Sequence, residues 1–163
     1  MDATQRAKKG LEWIRKDPSK LKLYANDIHP GAVDILDSSA NAAGLANFIE
    51  ITNMDCYDLE VDTDNIPYFV VTNPPWGVRL TDDIAESWEG LRHFMRDVCP
   101  SNTEAWVLSG HKGATATLKL RREKMIPIQT GEQHLRWIQY KIRGDKGQTI
   151  KAKTLDKVEE DSW

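Results

Sequence analysis

Short apolar runs alternate along this chain with longer stretches in which apolar residues recur every three or four positions. The short runs predict strands at 21–25, 48–52, 68–72 and 104–108. The longer stretches predict amphipathic helices at 3–16, 32–43 and 83–98, with a further short helix that ends near residue 120. Strands that alternate with helices in this way predict an α/β fold built on a mostly parallel sheet.

The end of the folded region has a different pattern. Two further apolar runs, 124–128 and 135–142, are separated by a short polar turn and predict an antiparallel hairpin that finishes the sheet. After Arg143 the composition becomes polar and rich in charge. We therefore predict a folded domain at 1–143 and a disordered tail at 144–163.

Composition narrows the class of protein. The chain has 163 residues, a size that fits one domain, and its net charge of −3 gives no global basic field for nucleic acid. No run approaches the ~20 apolar residues needed to span a bilayer. Two cysteines do not make a disulfide framework, and the four histidines have no metal-ligand spacing. These features favour a cytoplasmic protein without a metal and leave an organellar location open.

The strand at 68–72 leads directly into Asn73-Pro74-Pro75-Trp76. Each proline restricts the residue before it to extended geometry, so the loop should be stiff. Asn73 offers a side-chain carbonyl and Pro74 a backbone carbonyl, which together suit one NH₂ group, and Trp76 suits stacking on a flat ring. Asn-Pro and Pro-Pro are also common turn residues. The preceding strand and the following indole favour a site that methylates the exocyclic amine of a base.

Polar residues follow the other predicted strands as well. Asp27, Asp55 and Ser109 lie at or just beyond strand ends, as Asn73 does. Ligands of open α/β sheets bind at the carboxyl ends of the strands. We therefore expect these residues to border one ligand site.

The motif N-P-P-W-G-V-R-L at 73–80 resembles N-P-P-Y-G-E-R-L of the THUMP-associated large-subunit ribosomal RNA guanine-N2 methyltransferases. The resemblance runs from about residue 7 to residue 142 and includes R-A-K-K-G-L, D-I-H-P-G-A-V and K-L-R-R-E-K-M-I-P-I. It implies a class I, Rossmann-like fold with S-adenosylmethionine as cofactor and ribosomal RNA as substrate. It also implies an upstream THUMP domain in the full-length parent.

The resemblance further implies site residues. Asn73, Pro74 and Trp76 would be catalytic, Asp27 would hold the cofactor ribose, and Asp55 with Cys56 would contact the adenine. Trp76 departs from the usual Tyr, so stacking would remain while any hydroxyl contact would be lost. Two simpler roles stay open, since Asp27 could cap the next helix and Asp55 could brace its own turn.

The family's first strand and its glycine-rich loop, D-P-x-C-G-S-G-T, have no counterpart in residues 1–20. In the family this strand lies in mid-sheet, between the strands at 21–25 and 68–72. We therefore expect those two strands to pair directly or to leave a gap. We also expect the chain to be a methyltransferase fragment that binds S-adenosylmethionine weakly in a calorimetric titration.

Basic residues concentrate near the hairpin. They are Arg121, Arg122, Lys124 and Arg136, followed by Lys141 and Arg143. Together they could form a local RNA-binding face, and positive charge on edge strands also prevents aggregation. The sequence leaves these two interpretations equal.

Enzymes with other substrates share the N-P-P motif. DNA adenine and protein glutamine methyltransferases also use N-P-P with an aromatic residue, while G-V-R-L and the hairpin favour RNA guanine. A non-catalytic binding module is the third alternative, supported by the missing loop and opposed by the intact Asn73 to Trp76.

Overall fold

A computed structural model describes residues 5, 9, 12, 22–60, 69–75 and 84–143, except for the side chain of Lys112. These residues belong to two compact units, Met1–Asp55 and Cys56–Trp163. The strands are β1 (Leu23–Asn26), β2 (Ile49–Thr52), β3 (Phe69–Thr72), β4 (Glu104–Ser109), β5 (Arg122–Thr130) and β6 (Gln133–Lys141). The helices are α1 (Pro30–Ala43), α2 (Ile84–His93) and α3 (Lys112–Thr117), with a 3-10 turn at Ala46–Phe48 and a π-helical turn at Phe94–Val98.

The described residues include only three positions of one predicted segment and none of another. In the predicted helix at 3–16, residues 5, 9 and 12 are helical and exposed. The predicted tail at 144–163 lies outside the described residues. The other predicted strands and helices all have a counterpart within a few residues of their expected bounds.

The first unit is a strand–helix–strand motif. β1 and β2 pair in parallel, with a register that runs from Leu23 opposite Ile49 to Asn26 opposite Thr52. α1 connects them and packs against β2. Parallel pairing of consecutive strands needs such a crossover, so the predicted strand, turn and helix are confirmed.

Helix α1 has well-defined ends that its sequence predicts. Pro30 opens the first turn, where its missing N–H costs no hydrogen bond. Gly44 ends the helix in the left-handed region, at φ 69°. The N–H of Leu45 then donates to the carbonyl of Ala40 at 2.8 Å, which satisfies a carbonyl at the helix end.

Replacing Gly44 by alanine is expected to destabilise the protein by about 1 kcal/mol, because an L side chain is strained at this φ. Gly44→Asn is the matched variant, since asparagine tolerates the left-handed region better and should recover most of the loss. Urea unfolding followed by circular dichroism measures both free energies. Equal stability of the alanine variant and the wild type would contradict this account of the helix end.

The second unit contains a four-stranded sheet in the order β3-β4-β6-β5. β3 and β4 are parallel, while β4 with β6 and β5 with β6 are antiparallel. β5 and β6 form the predicted hairpin, which turns at Gly131 with φ 57°. The predicted antiparallel hairpin is thus present. This sheet is mixed rather than mostly parallel, since only one of its three strand pairings is parallel, and β4 joins that pair to the hairpin.

The core of this unit lies between α2, α3 and one face of the sheet. Trp88, Leu91, Phe94 and Met95 are buried there, as the helical spacing of the segment 83–98 predicts. From the sheet, the buried cluster includes Ala105, Val107, Ile138 and Tyr140. Alternate residues of β4 are buried, which marks that face as the covered one.

β1 and β3 do not pair with each other within the described residues. β1 is bonded to β2 and β3 to β4, so each lies at the edge of its own sheet. Of the two expected arrangements, direct pairing of the strands at 21–25 and 68–72 is therefore not found. β3 carries exposed Phe69 and Val71, each 59% accessible, which is unusual for large apolar side chains on a strand edge.

Candidate active site

The loop after β3 is bonded to a core residue and exposes one polar side chain to solvent. Asn73 is exposed, Pro74 is buried and Pro75 is half-buried. The indole Nε1 of Trp88 on α2 donates a hydrogen bond to the carbonyl oxygen of Pro75 at 2.6 Å. The predicted role of Trp76 falls outside the described residues.

This loop has a restricted set of backbone polar groups. Pro74 and Pro75 have no N–H, so the backbone of both residues offers only carbonyl oxygens. The side chain of Asn73 adds an amide oxygen, also an acceptor. Acceptors concentrated at a strand end suit a ligand that donates hydrogen bonds, such as an amino group.

Asp27 follows β1 and braces the turn that leads into α1. Its Oδ1 accepts a hydrogen bond from the backbone N–H of His29 at 2.8 Å. The helix cap is His29 itself, whose Nδ1 accepts from the N–H of Gly31 at 3.1 Å. The alternative in which Asp27 caps this helix is therefore wrong, because a histidine occupies that role.

The ends of β1 and β2 are tied together by side-chain amides. Asn53 Nδ2 donates to the carbonyl oxygens of Asp27 at 2.8 Å and of Ile28 at 3.0 Å. Asn26 Nδ2 donates to the carbonyl oxygen of Met54 at 3.1 Å. These bonds bring half-buried Asp27 and the segment before Asp55 to the same end of the sheet, as the sequence predicts.

Apolar side chains are exposed beside these acids. Ile28, which follows Asp27, is 64% accessible, and Met54, which precedes Asp55, is 36% accessible. A carboxylate next to an exposed apolar surface suits a ligand with hydroxyl groups and a flat ring. Cys56 begins the second unit, where it is half-buried and packs against the buried cluster.

The predicted basic face is divided by the sheet. Arg122 pairs with Tyr140 and Arg136 lies four residues before Tyr140, so both project from the covered face. Lys124 pairs with Gln139 and projects from the opposite face. Residues two apart on a regular strand share a face, so the register shift in β5 between Arg122 and Lys124 is what separates them. Arg121 is exposed just before the strand.

The Cys99 thiol is buried in the core of the second unit. Burial raises the pKa of the Cys99 thiol to about 12, so it stays protonated at neutral pH. No three metal-ligating side chains come together among the described residues. No described helix has the length and apolar content that a membrane crossing requires.

The amino-acid sequence is similar to a family of methyltransferase domains and to curated members of it. A family model described as "RMKL-like, methyltransferase domain" matches residues 2–139. "Ribosomal RNA large subunit methyltransferase K/L" of Shewanella frigidimarina is 29% identical over 121 residues, which are 72% of this chain and 16% of that protein. The chain thus spans under a fifth of the length of that relative.

Solved structures are similar in fold. A protein described as a possible methylase from Clostridium difficile 630 aligns with a TM-score of 0.63 and 22% identity, over 77% of this chain and 33% of that one. A protein classed as a methyltransferase, complexed with SAH, aligns with a TM-score of 0.65 and 19% identity over the same shares. The fold is therefore the α/β, Rossmann-like fold of class I methyltransferases, as the sequence predicts.

Proposed function

Because this chain belongs to the family of RMKL-like methyltransferase domains, we propose that it takes part in methylating the exocyclic N2 amine of a guanine in ribosomal RNA. The observation that carries the proposal is the loop after β3, where exposed Asn73 is followed by buried Pro74 and by a Pro75 carbonyl bonded to Trp88. The name of the relative from Shewanella frigidimarina, a large-subunit ribosomal RNA methyltransferase, supports RNA as the substrate class.

The end of the β1–β2 sheet fits the nucleoside part of S-adenosylmethionine. In this proposal Asp27 accepts hydrogen bonds from the ribose hydroxyls, and Asp55 with Cys56 lies at the adenine. The exposed side chain of Ile28 offers an apolar surface for the adenine ring. When bound, the cofactor supplies an electrophilic methyl group on a sulfonium, and SAH, its demethylated form, is present in one similar structure.

Asn73 and Pro74 would activate the acceptor amine. The nitrogen of an exocyclic amine is a weak nucleophile because its lone pair is delocalised into the ring. Hydrogen bonds from its two N–H groups to Asn73 Oδ1 and the Pro74 carbonyl would favour the tetrahedral nitrogen that develops on methylation. Trp76 would stack on the base once it is turned out of the RNA. The new N–C bond would form as the bond between the methyl carbon and the sulfonium sulfur breaks, with its electron pair left on sulfur, and the amine would then release one proton to water.

RNA would be held by the basic residues near the hairpin. We assign this role to Arg121, Arg122, Lys124 and Arg136, of which Arg122 and Arg136 share one side of the sheet. Their contacts would be to phosphates, so binding should weaken as salt rises. In a longer parent, a THUMP domain is the proposed partner in capturing the RNA.

A methyl-transfer assay with three acceptors tests the proposal. The chain is incubated with radiolabelled S-adenosylmethionine at a concentration high enough to saturate the weak cofactor binding expected from the sequence. Separate reactions contain unmodified large-subunit ribosomal RNA, DNA and a glutamine-containing protein substrate. We expect label in the RNA alone, recovered as N2-methylguanosine after nuclease digestion. Label in N6-methyladenine of DNA or in protein glutamine would instead support the corresponding alternative, and no label in any acceptor would support the binding module.

A further inference from the structure

We infer that Trp88 is a positioning residue for the Asn73-Pro74 acceptor loop, and that its indole N–H sets the geometry in which the loop receives an amino group. This inference rests on the proposed function, because it assigns the loop its role as amine acceptor. It adds a residue from α2 that does not touch substrate or cofactor itself. Trp88 would act through the carbonyl group of Pro75.

The two prolines of the loop have few other means of attachment through their backbone. Pro74 and Pro75 are consecutive and lack N–H groups, so neither can donate to a strand or to a turn. The position of this part of the loop must therefore be fixed through ring packing and through its carbonyl oxygens. The buried ring of Pro74 supplies packing, and the bond from Trp88 Nε1 to the Pro75 oxygen supplies orientation.

The donor is well suited to hold a fixed position. Trp88 is 0% accessible and belongs to the buried cluster with Leu91, Met95 and Val107. Its large ring is constrained on all sides, so its N–H points in one direction. A buried indole N–H also needs an acceptor, because leaving it unpaired is unfavourable. The bond at 2.6 Å to Pro75 meets that need.

The orientation of the Pro75 carbonyl matters for the site. The carbonyl belongs to the peptide group that joins Pro75 to Trp76, so rotating it also rotates the chain on either side. Pro74 and Trp76 are the residues that would accept the amine and stack on the base. An error of about 1 Å in such positions costs roughly 100-fold in rate in other enzymes.

Trp88→Phe tests the inference, because it removes the N–H donor and keeps an aromatic ring in the core. Trp106→Phe is the matched control. The Trp106 indole also donates at 2.6 Å, to Glu104 Oε1, and it lies on the other face of the sheet, stacked with Trp137. Both variants therefore lose one indole hydrogen bond, and only the first loses contact with the loop.

Hydrogen exchange of the full chain, followed by mass spectrometry, gives the first measurement. In Trp88→Phe the peptide that spans 69–80 should exchange roughly fivefold faster, the factor expected for one net hydrogen bond. The peptide that spans β4 should exchange at the wild-type rate. Trp106→Phe should leave 69–80 unchanged, because an aromatic ring remains opposite Val71 of β3. Unaltered exchange at 69–80, or equal acceleration throughout the second unit, would overturn the positioning role.

Kinetics give the second measurement. Trp88→Phe should lower kcat by about 10- to 100-fold and leave KM for S-adenosylmethionine unchanged, because the loop contacts the acceptor. Faster loop exchange with an unchanged kcat would overturn the inference while the proposed function stands. If instead the wild type transfers no methyl group to RNA, the proposed function fails, and hydrogen exchange still decides whether Trp88 orients the loop.

Discussion

Replacing Asn73 by alanine is expected to lower kcat for RNA methylation by about 100- to 1000-fold. The substitution removes one of the two acceptors that would stabilise the developing charge on the amine, and losses of this size follow when one such preorganised hydrogen bond is deleted in other enzymes. KM for S-adenosylmethionine should stay the same, because the residues assigned to the cofactor are Asp27, Asp55 and Cys56. Initial rates with saturating RNA measure the effect.

Asn47→Ala is the control for this substitution. Asn47 is an exposed asparagine in the 3-10 turn between α1 and β2, away from the strand ends of the proposed site in sequence. Its replacement by alanine should leave kcat within twofold of the wild type. If Asn73→Ala retains full activity in an active wild-type background, the assignment of the acceptor site is wrong and the binding-module interpretation gains support.

Replacing Ile138 by alanine is expected to destabilise the protein by about 2–5 kcal/mol, the range observed for large-to-small changes in cores. Ile138 is 0% accessible and lies in β6, opposite Val107 on one side and Met125 on the other. Removing its side chain leaves a cavity between β6 and the helices that cover the sheet. Urea unfolding monitored by tryptophan fluorescence gives the free energy of unfolding.

Ile128→Ala provides the comparison within the same hairpin. Ile128 lies in β5 and is 38% accessible, so the same change of side chain should cost less than about 1 kcal/mol. Similar losses for the two variants would mean that the hairpin contributes to stability through its strand pairing rather than through burial of Ile138. That result would contradict the placement of the core described above.

Much of this fold follows from local signals in the sequence. Alternating apolar runs locate β3 and β4, and the pair Pro30 and Gly44 marks the ends of α1, because each signal reflects a constraint within one element. The short polar turn around Gly131 likewise predicts the hairpin. These features depend on backbone geometry and side-chain period, which neighbouring residues determine.

Other features depend on contacts between distant residues and are not visible in the sequence. The spacing of Trp88 on α2 predicts burial, and nothing in that pattern indicates its bond to Pro75, thirteen residues earlier. The basic residues near the hairpin look like one cluster in the sequence, while strand pairing places Lys124 and Arg122 on opposite faces. Similarly, the sequence suggests Asp27 as a possible helix cap, and only the structure shows that the His29 side chain accepts from the helix.

The position of β4 in the sheet determines the order in which the second unit can assemble. β4 pairs with β3 on one edge and with β6 on the other, and β6 is the later strand in the chain. During synthesis β3, α2 and β4 therefore leave the ribosome before Ile138 and Tyr140, which complete the buried cluster. Until β6 is made, one edge of β4 stays unpaired and the apolar face of β4 is only partly covered. The hairpin, which can form within microseconds once it emerges, is then the step that completes the unit.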